Sequence, residues 1–251
     1  MPRLKKKFLQ TLIITRPKED AAELAKTLTA KGHRSLIEPM LSIEPVLKNQ
    51  KSLQVALKRE PQAILATSRY ALSVFAGMSK IRDIPILAAG AATASHAREL
   101  GFKVKATGGG TARSLIVIAR KLCTPEKGRL LYLRGADITV DIASALKQDG
   151  FTCDSVIVYR ALATKQFSKQ LCSAISQGKA TGALFFSERT AAAYVKLTKK
   201  YNLKDAHQGL TAFSISNNIA ITLEGLPWRA VLTATLPTTK SLLNKVNSLR
   251  Q

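Results

Sequence analysis

The second half of the chain repeats the first. Arg16 and Arg134 each close a short apolar run, and each is followed by a glycine, Gly32 and Gly150, so both pairs stand 118 residues apart (134 − 16 and 150 − 32). The run ending in Ser68 lies over the one ending in Ser187, Thr93-Ala94 over Ile219-Ala220, and Thr111-Ala-Arg-Ser-Leu115 over Thr238-Thr-Lys-Ser-Leu242. The offset grows to 127 (238 − 111) along the way, as small loop insertions would make it. Self-similarity at this spacing predicts two like units of roughly 120 residues, the ordinary size of a domain.

The repeated unit is built from short apolar runs separated by helical patterns. Residues 12–14, 63–66, 86–89, 130–133, 156–159, 183–186, 211–213 and 231–232 read as strands. After the first of them Pro17 suits an opening helical turn, Ala21, Leu24, Ala25 and Leu28 form one apolar stripe, and Gly32 closes the helix. Continuous apolar strands alternating with helices imply parallel sheets covered on both faces. The fold class expected is therefore α/β, with two similar doubly wound parallel-sheet lobes and an interlobe cleft.

Several functional classes are excluded or disfavoured. Hydrophobic residues make up 46% of the 251, too many for a disordered basic protein. No stretch approaches the roughly 18 apolar residues of a membrane span, and the basic start at residues 1–7 leads into no cleavable leader, so a cytoplasmic location is expected. Cys123, Cys153 and Cys172 are odd in number and widely spaced, and His33, His96 and His207 are isolated, so neither a disulfide framework nor a metal site is expected. Gly108-Gly-Gly110-Thr111 lacks the Gly-Lys-Ser/Thr of a phosphate loop and reads as a flexible turn. No Gly-x-Ser-x-Gly elbow and no obvious carboxylate pair is present.

With 39 Lys and Arg against 16 Asp and Glu, the formal charge is +23. The cations are dispersed and only 6% of residues are aromatic, so a solvated basic surface is the reading expected from the charge, with nucleic-acid binding the weaker alternative and a polyanionic small molecule also open.

In open parallel sheets ligands meet the carboxyl ends of strands, where the next helix offers free N–H groups. Those positions hold Thr15-Arg16, Thr67-Ser68, Ala89-Gly90, Arg134-Gly135, Phe186-Ser187 and Ser214-Ile215-Ser216. Hydroxyls, exposed amides and two arginines make a donor set for carboxylate or phosphate. Ser68 and Ser187 also read as helix N-caps, each contributing about 1 kcal/mol. Tyr159, at the end of a strand, is the candidate proton carrier; the competing reading is a packing residue with a wet hydroxyl.

Leu-Ile-Ile-Thr-Arg16-Pro17, Ala-Thr-Ser68, Ala-Gly90-x-x-Thr93-Ala94, Leu-Tyr-Leu-Arg134-Gly135, Val-Tyr159-Arg160, Phe-Phe-Ser187 and Leu236-Pro237-Thr238 together resemble the ordered signature of the uroporphyrinogen-III synthase family. The resemblance implies a cofactor-free enzyme acting on a polyanionic linear tetrapyrrole, hydroxymethylbilane; a monomer, with neither nucleic acid nor membrane as partner, is expected. It closes that chain with loss of water and with its last ring inverted. The resemblance also implies an exchange of the first βα units between lobes through two extended linkers, near Glu38-Pro39 and Tyr159-Arg-Ala161. The expected lobes are then residues 10–37 plus 161–251, and 40–158. Tyr159 would be catalytic, with Arg16, Thr67, Ser68, Gly90, Thr93, Arg134, Ser187, Ser214, Ser216 and Asn218 binding substrate. Two positions depart from the pattern: Tyr70 stands where many relatives have asparagine, and Asn217-Asn218-Ile219 replaces a hydroxyl-rich stretch. A two-lobed anion-binding module without catalysis is the alternative that residues alone leave open.

Overall fold

The computed structural model describes residues 10–248; the basic stretch at 1–7 lies outside the described residues. In chain order, β1 (Thr11–Ile14), α1 (Lys18–Ala30) and β2 (Arg34–Ile37) are followed by β3 (Leu41–Pro45). Next come α2 (Gln50–Lys58), β4 (Ala63–Ala66), α3 (Arg69–Met78), β5 (Ile86–Ala88), α4 (Ala91–Glu99), β6 (Val104–Thr107), α5 (Ala112–Leu122), β7 (Leu130–Gly135), α6 (Ile142–Lys147) and the long β8 (Cys153–Ala163). The chain ends with α7 (Lys169–Ser176), β9 (Gly182–Phe185), α8 (Glu188–Lys200), β10 (Thr211–Ser214), α9 (Asn217–Leu223), β11 (Ala230–Thr233) and α10 (Thr239–Ser248).

Two compact units result, one of residues up to Ser42 together with those from Leu162 onward, the other Ile43–Ala161. The first has the sheet order β11-β10-β9-β1-β2 and the second β3-β8-β7-β4-β5-β6. Aligned as β11/β6, β10/β5, β9/β4, β1/β7 and β2/β8, the two orders are the same. The sequence repeat is thus a repeat of topology, with β3 added at one edge. Register is parallel along β2-β1-β9-β10-β11 and β8-β7-β4-β5-β6.

Burial explains why the apolar runs are continuous. In β4, Ile64 and Ala66 pack toward α2, α3 and α4, while Ala63 and Leu65 pack toward α5 and α6. β9 is divided likewise, Ala183 and Phe185 toward α7, α8 and α9, Leu184 toward α1 and α10. Each fully buried Leu, Ile or Phe contributes about 1.5–3 kcal/mol, so both faces of a central strand must be apolar. Strands β2, β3 and β6 escape the sequence reading for the complementary reason. β2 and β6 lie at sheet edges with exposed Arg34, Ile37, Lys105 and Thr107, and Leu-Ser-Ile-Glu-Pro45 in β3 is mostly accessible. The strand containing Tyr159 is also longer than expected. It continues to Ala163, so Tyr159 lies within β8 rather than at its end.

Candidate active site

Each sheet reverses its direction of winding once, between β1 and β9 in the first unit and between β7 and β4 in the second. Ligands bind at such switch points, outside the carboxyl ends of the strands.

In the first unit that point is largely closed by the protein itself. Thr15 is buried and donates to the Leu184 carbonyl at 2.7 Å. The Arg16 guanidinium pairs with Asp20 at 3.0 Å and stacks on the Phe186 ring at 4.6 Å. Ser187 caps α8, its Oγ accepting from the Thr190 amide at 3.2 Å and bonding the Thr190 hydroxyl at 3.1 Å. Ser214, expected as a ligand donor, is fully buried and shares a hydrogen bond of 2.9 Å with Thr233, tying β10 to β11. Ser216 stands at the N-cap of α9 without a side-chain cap bond, and Asn217 and Asn218 beyond it are exposed. Ile219, in the departing stretch, belongs to the core.

The second unit keeps an open pocket of about 520 Å³ at its switch point. Thr67 from the end of β4, with Tyr132, Gly135 and Tyr159 from β7 and β8, lines it, together with Arg113 on α5 and Asp137 beyond β7. Tyr159 reaches this place by crossing a glycine. A register shift between Arg134 and Gly135 sets Gly135 opposite Tyr159, and a Cβ on Gly135 would stand 2.7 Å from the ring's Cζ and 2.9 Å from its hydroxyl oxygen. The Tyr159 ring also packs 6.1 Å from Tyr70, so the departure at position 70 puts a second aromatic ring beside the candidate acid. Burial pushes the Tyr132 phenol up, with hydrogen bonding by Thr67 and the Arg134 charge opposing it. Two phenols therefore border one pocket, and burial favours the neutral form of Tyr132.

The other expected residues of this unit support the pocket without lining it. Arg134 donates to Ser155 Oγ at 2.9 Å and to the carbonyls of Gly135 and Ala136 at 3.0 and 3.2 Å, fastening the end of β7. Ser68 caps α3, accepting from the Tyr70 amide at 3.1 Å. Gly90 caps α4, where a Cβ would meet the Gly110 Cα at 2.9 Å. The glycine loop is not the loose turn expected. Gly108 and Gly110 donate to the carbonyls of Ala88 and Ala89 at 2.8 and 2.7 Å, and Gly110 has φ of 95°. Thr93 is 7% exposed and closed to a ligand. Sequence reasoning thus missed Tyr132, Arg113 and Asp137. Tyr132 lies within the Leu-Tyr-Leu-Arg134 run, and Arg113 within the repeated Thr111 segment.

Among the described residues no group of three or more His, Cys, Asp or Glu could hold a metal ion, and no helix is long and apolar enough to cross a membrane.

A family model described as uroporphyrinogen-III synthase HemD matches residues 22–244. The chain belongs to that family. A porphyrin biosynthesis protein HemD from Ruminiclostridium josui is 25% identical over 225 residues, covering 85% of this chain and 43% of the relative, so the chain spans less than half the length of the curated relative it matches. A solved uroporphyrinogen-III synthetase from Helicobacter pylori shares the fold over 96% of this chain and 100% of its own, with a TM-score of 0.60 at 18% identity. A mutant uroporphyrinogen III synthase from Thermus thermophilus does so over 95% and 98%, with a TM-score of 0.52 at 18% identity. Membership of the uroporphyrinogen-III synthase family thus rests on most of the chain, and the pocket around Tyr159 lies wholly inside the matched segment.

Proposed function

We propose that the protein is a uroporphyrinogen-III synthase that closes hydroxymethylbilane into a ring with inversion of the terminal pyrrole. The observation that carries the reading is the Tyr159 hydroxyl at a switch-point pocket in a member of this family. Tyr159 donates its proton to the hydroxyl of the hydroxymethyl group on the first ring, which departs as water. The resulting cation at the first ring's methylene is stabilised by that pyrrole and is attacked by the substituted carbon of the last ring. A spiro intermediate forms there; the bond from that carbon to the bridge of the preceding ring breaks, the bridge bonds instead to the free carbon of the last ring, which is thereby reversed, and the proton lost from that carbon on aromatisation returns to the phenolate. One water leaves and no atom changes oxidation state overall, so the reaction calls for no redox carrier.

The cation forms readily, so the protein's main task is to hold the folded chain in the geometry that favours attack at the substituted position. Substrate with an acetate and a propionate on every ring is drawn to a protein of net charge +23. Half-buried Ser187 and Ser216 and exposed Asn218 are proposed to hold some of these carboxylates.

The test is turnover of freshly prepared hydroxymethylbilane by the full chain and by Tyr159→Phe. Loss of a general acid costs about 10²–10⁴-fold in rate, and a value near the lower end is expected because the leaving group is good. Binding without turnover by the natural protein would leave an anion-binding module in place of the enzyme. An unchanged kcat in the variant would remove Tyr159 as the acid.

A further inference from the structure

We infer that the pocket at Tyr159 receives the pyrrole ring that carries the leaving hydroxyl and that Arg113 binds a carboxylate on that ring. The inference rests on the functional reading above and goes beyond it by assigning one ring, one carboxylate and one arginine.

Arg113 and Tyr159 line the same pocket of about 520 Å³. Proton transfer requires the leaving hydroxyl within hydrogen-bond reach of Tyr159, and that hydroxyl sits on the methylene of the first ring, at the opposite end of the chain from the ring that is inverted. The pocket is within the usual range of about 300–1,000 Å³ for small-ligand sites. It suits one ring with its acid arms rather than a folded four-ring chain. Whatever ring occupies it brings an acetate and a propionate, and these need a cation.

Arg113 is the cation present. Its side chain is exposed, and among the described residues it has no ion pair or side-chain hydrogen bond. Other arginines of this unit are engaged: Arg59 and Arg129 with Asp154, Arg120 with Asp149, Arg134 with Ser155 and two carbonyls. Asp137, the carboxylate on the pocket wall, is engaged with another group. The planar guanidinium fork matches a carboxylate with two parallel bonds. Arg113 also occupies the first turn of α5, where the helix dipole adds to its pull on an anion.

The experiment uses a pyrrole carrying one acetate and one propionate as a competitor of hydroxymethylbilane, with the natural protein, Arg113→Gln and Lys121→Gln. Lys121, exposed in the last turn of α5, removes the same unit of charge away from the pocket. Competitive inhibition by the single ring is expected. Arg113→Gln should raise its Ki and the substrate KM together, by about tenfold, the loss of one charge-assisted hydrogen bond, while kcat falls far less. Lys121→Gln should leave the Ki within about twofold, since an exposed charge a helix length away is screened. An unchanged Ki in Arg113→Gln, or equal shifts in both variants, would overturn the assignment. Calorimetric binding of the single ring to the same three proteins decides the subsite even if the natural protein fails to turn over hydroxymethylbilane, an outcome that would sink the functional reading alone.

Discussion

Replacing Gly135 by alanine should disable Tyr159 without touching it chemically. The added Cβ would stand 2.7 Å from Tyr159 Cζ, whereas carbon atoms rest at about 3.5–4.0 Å. The ring must therefore retreat by roughly 0.8 Å or more to restore contact distance. Gly135 is not among the residues with left-handed backbone, so alanine adds no backbone strain and the effect passes through the ring. Misplacing a reacting group by about 1 Å costs on the order of 10²-fold. The overpacking itself costs about 1–3 kcal/mol, and the lower end is expected because Tyr159 is only partly buried and can move. The assay is kcat for hydroxymethylbilane consumption in Gly135→Ala, Tyr159→Phe and the double variant. If glycine acts by placing the phenol, the first variant loses about 10²-fold and the double variant is no slower than Tyr159→Phe, a fully non-additive cycle. Full activity in Gly135→Ala, or losses that multiply in the double variant, would refute the positioning argument.

Arg134→Ala should behave as a structural lesion, because its three hydrogen bonds end on Ser155 and on the carbonyls of Gly135 and Ala136. A fall of about 1–2 kcal/mol in urea unfolding is expected; a raised KM with unchanged stability would instead make Arg134 a substrate ligand. His207 is fully buried against Tyr194 and Trp228, and burial holds its imidazole below the ordinary histidine value. Because the unfolded chain binds this proton more tightly, the contribution to stability is complete above the ordinary value of about 6.5 and is lost as pH falls from there toward the lowered folded value. Urea midpoints measured from pH 7.5 to 5.5 should decline, and less steeply in His207→Gln; identical slopes would contradict the assignment.

The central strands were legible because burial on both faces leaves no polar position to blur the pattern, as in Leu12-Ile13-Ile14 and Ala63-Ile-Leu-Ala66. The edge strands β2 and β6 alternate with exposed residues and carry no such mark. Site residues failed in a different way. A hydroxyl at a strand end looks the same whether it meets a ligand or a neighbour, and Ser214 is consumed by Thr233 on the next strand. Arg134 is consumed by Ser155, on a strand reached only after α6. Tyr159 was identifiable as a phenol near a strand end, but its placement across Gly135 depends on a register shift between β7 and β8 that no local pattern encodes. Arg113 was read only as part of the repeat; its value depends on which loops the sheet brings to one pocket.

The most direct measurement is the isomer of the product. Hydroxymethylbilane left to itself closes head to tail and gives uroporphyrinogen I. With the full chain added in catalytic amount, separation of the oxidised porphyrins should show the type III isomer in excess, formed faster than spontaneous closure. Type I alone, formed at the spontaneous rate, would contradict the assignment of this protein as a uroporphyrinogen-III synthase.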